Sequence, residues 1–189
     1  MKLETQNRLV VLALSTAFLS GAFGIGRVTP AFSPTKAEAL VVEQQSNDKL
    51  LAKFENSHKL SDTELVALLK AVGFEGQALK VAWAVAKKES TGRPLAHNGN
   101  ASTGDNSYGL FQINMLGELG VDRRAKFGLG SNAELLNPVV NAQVAYHMSD
   151  GGKNWSAWKG LTQRTKEWIA KFPNTKPKAK AIAKGKGKN

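Results

Sequence analysis

The chain of 189 residues is long enough for one domain of ordinary size with extensions at its ends. It carries 26 Lys and Arg against 15 Asp and Glu, a formal net charge of +11. Cysteine is absent, which excludes a disulfide scaffold, thiolate-held zinc or iron–sulfur centres, and a thiol nucleophile. Because 42% of the residues are hydrophobic, the chain can bury a core.

The N-terminus is typical of an export segment. Lys2 and Arg8 give it a basic start, and residues 9–23 then read LVVLALSTAFLSGAF. An apolar stretch of this length suits a signal peptide or a short anchor better than a full membrane span, which takes about 20 residues. We therefore predict a signal peptide or membrane anchor over residues 1–23. The alternative is a buried helix of the domain.

Two further segments are predicted to lie outside the folded domain. Residues 24–59 mix Pro, Ser, Thr, Lys and Gln, which predicts a linker with a short helix at about 40–54. Residues 173–189 read PNTKPKAKAIAKGKGKN, which predicts a disordered Lys-rich tail. Such a tail binds polyanions by charge, for example anionic wall polymers or nucleic acid; the alternative is a solvated tail with no dedicated partner.

Helical signals open the predicted domain, residues 60–172. Ser61 and Glu64 form a capping-box pattern ahead of an apolar stripe, and Gly73 follows as a helix stop. A second helix is predicted from about residue 76, and one of its apolar stripes continues to Glu89.

The second half of the domain is less regular. Residues 92–107 form a loop rich in Gly, Asn, Ser and Thr, and residues 108–115 fit either a strand or a helix. Asn137 and the proline after it begin a helix that runs to about residue 149, and a last short helix is predicted over residues 165–172. We therefore expect a mainly α domain with a small or absent β-hairpin.

One acidic residue departs from the pattern of its helix. The last turn of a helix favours basic residues such as Lys87 and Lys88, whereas Glu89 is acidic and extends the apolar stripe that contains Ala86. Partial desolvation and the negative helix end disfavour a charged carboxylate, which suits a general acid near neutral pH. The alternative is an ordinary helix-end Glu paired with Lys88 or Arg93.

The sequence around this residue resembles a known family. From Glu89 to Asn114 it reads ESTGRPLAHNGNASTGDNSYGLFQIN. A Glu-Ser pair at a helix end, an Asn/Gly-rich loop and a Tyr-Gly-x-x-Gln-Ile-Asn element resemble the catalytic stretch of the lysozyme superfamily. The later segment NPVVNAQVAYHM resembles soluble lytic transglycosylases and goose-type lysozymes, and its surroundings resemble lysozyme-like proteins of actinobacterial phages. The resemblance covers about residues 61–160.

The resemblance implies a lysozyme-like α+β domain that cleaves the β-1,4 bond between N-acetylmuramic acid and N-acetylglucosamine in peptidoglycan. Glu89 would be the general acid/base that protonates the leaving glycosidic oxygen. We expect no metal or cofactor, since His58, His97 and His147 lack the spacing of a site such as HExxH. We expect a monomer that is secreted or anchored facing the cell wall, or carried in a virion.

The resemblance leaves the second carboxylate open. Animal c-type lysozymes have an Asp directly before Tyr-Gly, whereas this chain has Ser107 there, and Asp105 is the nearest acid. Asp105 as a catalytic base or stabiliser implies a hydrolytic muramidase. If Glu89 acts alone, as in lytic transglycosylases, the 6-hydroxyl of the substrate closes a 1,6-anhydro ring. Asp105 would then only stabilise its loop.

The resemblance also implies substrate-binding residues, which are Ser107, Tyr108, Gln112, Asn114 and Tyr146. Tyr108 offers a flat face with a hydroxyl, while Gln112 and Asn114 carry amides that both donate and accept hydrogen bonds. Tyr146 matches a family position near the catalytic Glu, where its hydroxyl would orient the carboxyl. A structural role is the alternative for Asn114, and core packing is the alternative for Tyr146.

A non-catalytic protein is the competing interpretation of the whole chain. It would be a lysozyme-like domain that binds glycan, or a virion component whose lysine tail contacts nucleic acid. The intact Glu89 favours the enzyme, because a binding protein has no need of a general acid at this place.

Overall fold

The computed structural model describes residues 36–173, apart from the side chains of residues 36–43 and 101. The predicted signal peptide or anchor at 1–23 and residues 174–189 of the predicted tail lie outside the described residues. In chain order the helices and strands are α1 (Lys36–Ala52), α2 (Asp62–Val72), α3 (Gly76–Ser90), β1 (His97–Asn98), β2 (Ser107–Tyr108), β3 (Ile113–Asn114), α4 (Gly117–Phe127), α5 (Pro138–Met148) and α6 (Gln163–Ile169). Short 3-10 helices lie at Ala101–Thr103, Asn132–Leu136 and Ser156–Trp158.

Helix α2 begins at the predicted capping box. Ser61 Oγ accepts a hydrogen bond from the Glu64 backbone N–H at 3.3 Å, and the Ser61 backbone N–H donates to Glu64 Oε2 at 2.8 Å. The hydrogen bonds that the Ser61 side chain and backbone donate lower the pKa of the Glu64 carboxyl. Gly73 ends the helix in the left-handed conformation, with φ of 117°, as predicted.

Helix α3 is the centre of the core. All side chains from residue 81 to 86 are buried, and the helix packs against α2 and α6. The Trp83 ring makes edge-on contacts with Trp168 and Phe172, with ring centroids 5.9 and 5.6 Å apart. Because α3 is packed on several sides, its orientation in the domain is fixed. The position of Glu89 in its last turn, at the edge of the core, is therefore fixed as well.

The last two helices start at capping residues. Asn137 Oδ1 accepts a hydrogen bond from the Val139 N–H at 2.9 Å, and Pro138 occupies the first turn, which confirms the predicted start of α5. Helix α6 is capped by Thr162, so it starts and ends earlier than the predicted residues 165–172.

The three strands form one small antiparallel sheet in the order β1-β2-β3. His97 pairs with Tyr108 and Ser107 pairs with Asn114. Residues 108–115, which fit a strand or a helix by sequence, thus form the end of β2, a turn, β3 and the residue that follows β3. The prediction of a mainly α domain with a small β element is confirmed.

Helix α4 is a difference from the sequence prediction, which contains no element there. Among its residues Gly120 alone is buried, at a position where a Cβ would lie 2.2 Å from the Met115 carbonyl oxygen. Leu119 and Val121 are exposed. The helix lies on the surface and has no apolar stripe, so hydrophobic periodicity does not predict it.

The described part of the predicted linker, from residue 36 onward, is largely helical. Helix α1 is longer than the short helix expected at 40–54, and its C-terminal end contacts α2. Leu50 and Leu51 pack against the core and Phe54 is buried in it, so the packed unit begins before residue 60. Within residues 36–173, no helix combines the length and apolarity that a membrane crossing requires.

Candidate active site

Glu89 lies in the last turn of α3, at the edge of the core. Its side chain is 24% exposed, and its Oε1 forms an ion pair with Lys88 Nζ at 2.8 Å. Lys88 also donates a hydrogen bond to the Trp158 carbonyl at 2.9 Å. The ion pair with Lys88, the structural alternative to a catalytic role, is therefore present. It leaves the Glu89 carboxyl in contact with solvent, where a substrate can approach it.

Ser90 joins the end of α3 to the turn at residues 108–112, which we call the site turn. Its side chain is buried, and Oγ donates a hydrogen bond to the Leu110 carbonyl at 2.8 Å. Oγ also accepts from the Arg93 N–H at 3.1 Å. Because Ser90 follows Glu89 directly, these contacts fix the backbone of Glu89 relative to the site turn.

Two further buried side chains hold the main chain of the site turn. Asn141 Oδ1 accepts a hydrogen bond from the Phe111 N–H at 2.9 Å, and its Nδ2 donates to the carbonyls of Tyr108 at 2.9 Å and Leu135 at 2.8 Å. Trp158 Nε1 donates to the Phe111 carbonyl at 2.7 Å. The main chain of the site turn is thus held by side chains from α3, α5 and the last 3-10 helix.

Two residues of the site turn, Gly109 and Gln112, have positive φ angles. Gly109 has φ of 72°, and a Cβ there would lie 2.2 Å from the Leu135 carbonyl oxygen and 2.3 Å from Asn141 Nδ2. Gln112 has φ of 46°, and its Nε2 donates to the carbonyls of Ala96 and Gly109, both at 3.0 Å. Both amide hydrogens of Gln112 are therefore used within the protein, and its carbonyl oxygen remains to accept a hydrogen bond from a substrate.

Asp105 belongs to the loop at residues 98–106. Its Oδ2 accepts a hydrogen bond from Asn98 Nδ2 at 2.8 Å, and its Oδ1 accepts one from Ser107 Oγ. Ser107 is buried in β2. Both carboxylate oxygens of Asp105 thus have donors from neighbouring residues of the chain, as expected for a residue that stabilises its loop.

Asn114 joins the same loop to α4. Its Nδ2 donates a hydrogen bond to the Gly104 carbonyl at 2.8 Å, and its Oδ1 accepts from the Leu116 N–H at 2.9 Å. Arg123 donates to the Asn114 carbonyl, and burial lowers the pKa of the Arg123 guanidinium. The Asn114 amide is therefore engaged in structural contacts.

Tyr108 presents a flat surface together with His97 of the neighbouring strand. Their rings stack with centroids 4.4 Å apart and an interplanar angle of 29°. Tyr108 is half-buried and His97 is exposed. Within the described residues the Tyr108 hydroxyl has no hydrogen-bond partner, so a ring face and a free hydroxyl are both available to a ligand.

Tyr146 lies at the far end of α3 from Glu89. Its ring contacts Phe74 edge-on at 5.0 Å between centroids, and it lies against Gly73, where a Cβ would come within 3.3 Å of the ring. Those two residues precede α3, and the helical rise separates that end from Glu89 by about 20 Å. These contacts correspond to core packing, the alternative for Tyr146, and they do not include Glu89. Periodicity predicts the buried face of α5, not which end of α3 that face meets.

Comparison with family models identifies the family to which this domain belongs. Residues 66–160, about half of the chain, match the family model described as a lysozyme-like domain. The chain belongs to the lysozyme-like domain family. The match runs from within α2 to just beyond the last 3-10 helix, so it contains Glu89, the site turn and Asn141. Comparisons with curated proteins and with solved structures give no match.

Membership in the lysozyme-like family indicates the general activity. A lysozyme-like domain is a glycosidase of the lysozyme or lytic transglycosylase type, its substrate is peptidoglycan, and it works at the cell wall. Within residues 36–173, no group of three or more His, Cys, Asp or Glu side chains is arranged to hold a metal ion.

The sequence prediction omits three residues that shape the site of this lysozyme-like domain. Asn141 carries the same signal as Glu89, a polar residue on the apolar face of its helix. For Ser90 the signal is its place in the Glu-Ser pair. His97 carries no signal, because its contact with Tyr108 depends on the register of two-residue strands.

Proposed function

We propose that this chain cleaves the β-1,4 bond between N-acetylmuramic acid and N-acetylglucosamine, with Glu89 as general acid and then as general base. The observation that carries the proposal is the setting of Glu89, half-buried beside a turn whose main chain is held by buried side chains. General acid catalysis requires a carboxyl held in a defined position next to the scissile bond.

The chemistry needs one proton and two bond changes. Glu89 donates its proton to the glycosidic oxygen while the bond from C1 to that oxygen breaks, which leaves positive charge on the sugar ring. The 6-hydroxyl oxygen of the same sugar then bonds to C1 and gives its proton to the Glu89 carboxylate. This closes a 1,6-anhydro ring, restores the acid and consumes no water.

The hydrogen bonds of Asp105 support this lytic transglycosylase route. Asn98 and Ser107 donate to the two carboxylate oxygens, so the carboxylate is committed to its own loop. A hydrolytic muramidase, in which Asp105 activates a water or stabilises the ring charge, is the second candidate, because Asp105 is only partly buried. Asp105→Asn separates the two: we expect a loss of activity below about tenfold for the first route and of several orders of magnitude for the second.

Four of the expected residues and His97 form the proposed sugar surface. The stacked rings of Tyr108 and His97 supply a face for a sugar ring, and the Gln112 carbonyl oxygen supplies an acceptor. Ser107 and Asn114 support this surface through the loop contacts described above.

The proposal extends to the ends of the chain. Residues 60–172, with the end of α1 packed against them, would be the catalytic domain. Residues 1–23 would be an export or anchoring segment, and the Lys-rich tail 173–189 would attach the protein to anionic wall polymers by charge. Deletion of the tail is expected to weaken wall binding at low salt and to have little effect at high salt, where screening removes the attraction. Equal loss at both salt concentrations would contradict attachment by charge.

Wall clearing by a Glu89→Gln variant tests the assignment of the acid. The amide keeps the shape of the carboxyl but has no proton to transfer, so we expect a loss of several orders of magnitude in the rate at which cell-wall suspensions clear. Glu75→Gln, an exposed residue at the other end of α3, is the control and should clear at the wild-type rate.

Two outcomes would contradict the proposal. Clearing by Glu89→Gln at the wild-type rate would remove Glu89 from the mechanism. Binding of cell walls without clearing by the wild-type protein would favour the non-catalytic alternative, and a gel-shift assay would then test nucleic acid as a partner of the tail.

A further inference from the structure

A cationic cavity lies beside the segment that follows Glu89. It has a volume of about 290 Å³, and we call it the basic cleft; its lining residues are His58, Lys59, Arg93, Leu95 and Ala96. Among the residues that the structure describes, no acidic residue contributes to this lining. Leu95 is 48% exposed, so the cleft combines positive charge with an apolar surface.

The basic side chains of the cleft lack anionic partners among the described residues. Within the described residues, the side chains of His58 and Lys59 make no hydrogen bond or ion pair. Arg93 Nε donates to the Ser90 carbonyl at 3.0 Å, and the two terminal nitrogens of its guanidinium have no partner among residues 36–173. Asp62, three residues after Lys59, is paired with Lys87 at 2.8 Å. The cleft therefore carries uncompensated positive charge.

The basic cleft is built on the same backbone as the active site. The Ala96 carbonyl accepts hydrogen bonds from the Gly109 N–H at 2.7 Å and from Gln112 Nε2 at 3.0 Å. Arg93 is tied to Ser90 through both its Nε and its backbone N–H. Arg93 lies four positions after Glu89, so their Cα atoms are at most about 14 Å apart. A group bound in the cleft would therefore lie close to the bond on which Glu89 acts.

We propose that the basic cleft binds a carboxylate of the peptide stems that branch from the glycan strand, so that the enzyme prefers glycan with stems to bare glycan. The inference rests on the proposed function and names the part of the substrate that the cleft recognises. A free guanidinium edge pairs with a carboxylate through two parallel hydrogen bonds, and Lys59 adds a second charge. The exposed Leu95 offers an apolar contact to the rest of a short peptide.

The test compares two substrates and two charge-matched variants. Lys59→Ala/Arg93→Gln removes both strong cations of the cleft, and Lys70→Ala/Lys80→Ala removes two exposed lysines elsewhere as the control. Each protein is assayed on cell-wall glycan with its stems and on the same glycan after an amidase has removed them. We expect the ratio of kcat/KM on stem-bearing glycan to kcat/KM on bare glycan to fall about tenfold in the cleft variant and to stay unchanged in the control variant.

The outcomes are distinct. An equal loss on both substrates, or no loss, would overturn the inference. A loss that disappears once phosphate-containing wall polymers are stripped from the substrate would also overturn it, because the occupant would be a phosphate. Lys59→Ala alone, which breaks no hydrogen bond of the described structure, should shift the preference in the same direction if the double variant is unstable. Glu89→Gln reports on the proposed function by itself, since it should be inactive on both substrates whatever the cleft binds.

Discussion

The site turn and the loop before it are neighbours in the chain but are held in different ways. The main chain of the site turn bonds to the buried side chains of Ser90, Asn141 and Trp158. In the loop at residues 98–106 most of the side-chain hydrogen bonds run between exposed groups, for example from Ser102 Oγ to Asn100 Oδ1 at 2.6 Å. Water replaces an exposed partner, whereas a buried group that loses its partner remains unsatisfied.

The difference gives the proposed active site one firmly held wall, which is the site turn, and one more easily adjusted wall, which is the loop at residues 98–106. Glu89 is attached to the first through Ser90, so its position relative to the glycan depends on residues from α3, α5 and the C-terminal part of the domain. Asp105 belongs to the second wall. Substitutions of the same kind in the two walls should therefore have unequal effects.

The largest effect on stability is expected at Asn141. Asn141→Leu keeps the volume but leaves the Phe111 N–H and the Tyr108 and Leu135 carbonyls without their buried partner, which should lower the free energy of unfolding by about 4 kcal/mol. Asn98→Leu, in the exposed loop, should change it by less than about 1 kcal/mol. Urea denaturation measures both changes in unfolding free energy, and equal values would contradict a difference in rigidity between the two walls.

Two glycines with nearly the same backbone conformation give a second pair. Gly109 and Gly104 have φ of 72° and 75°, but only Gly109 is closely surrounded, since nothing lies within 4 Å of a Cβ on Gly104. Alanine at Gly109 should therefore cost about 3 kcal/mol of unfolding free energy, and at Gly104 about 1 kcal/mol from the conformation alone. Thermal and urea unfolding check the difference, which should vanish if the site turn can relax.

Ser90→Ala is expected to affect stability and activity together. Loss of the hydrogen bond to the Leu110 carbonyl and of the acceptor for the Arg93 N–H should lower the free energy of unfolding by about 2 kcal/mol. The rate of wall clearing should also fall, because Glu89 loses its fixed relation to the turn. The exposed Ser102→Ala should leave both quantities unchanged, and a stable, fully active Ser90→Ala would contradict this role.

Lys88 provides the smallest predicted effect. It joins Glu89 to the Trp158 carbonyl, and Trp158 in turn holds the site turn, so Lys88→Met should let the carboxyl move without opening the fold. We expect kcat to fall about tenfold with KM unchanged within a factor of two. A change in KM alone would indicate that Lys88 contacts the substrate instead of positioning the acid.

The sequence predicts the core helices and the place of Glu89 because both follow from periodicity and capping, which are local. The Ser61 capping box and the Asn137 cap illustrate this. It does not predict α4, whose residues pack too little to leave a stripe. The contacts of Tyr146 and the pairing of His97 with Tyr108 depend on which segments meet in space, and short strands carry little register information.

The masses of the fragments released from cell walls test the central claim most directly. If Glu89 acts as acid and base without a second carboxylate, the fragments end in a 1,6-anhydro sugar, one water lighter than the hydrolysed form, and Glu89→Gln releases none while retaining the wild-type unfolding curve. Release of the same fragments by Glu89→Gln at the wild-type rate would contradict the account.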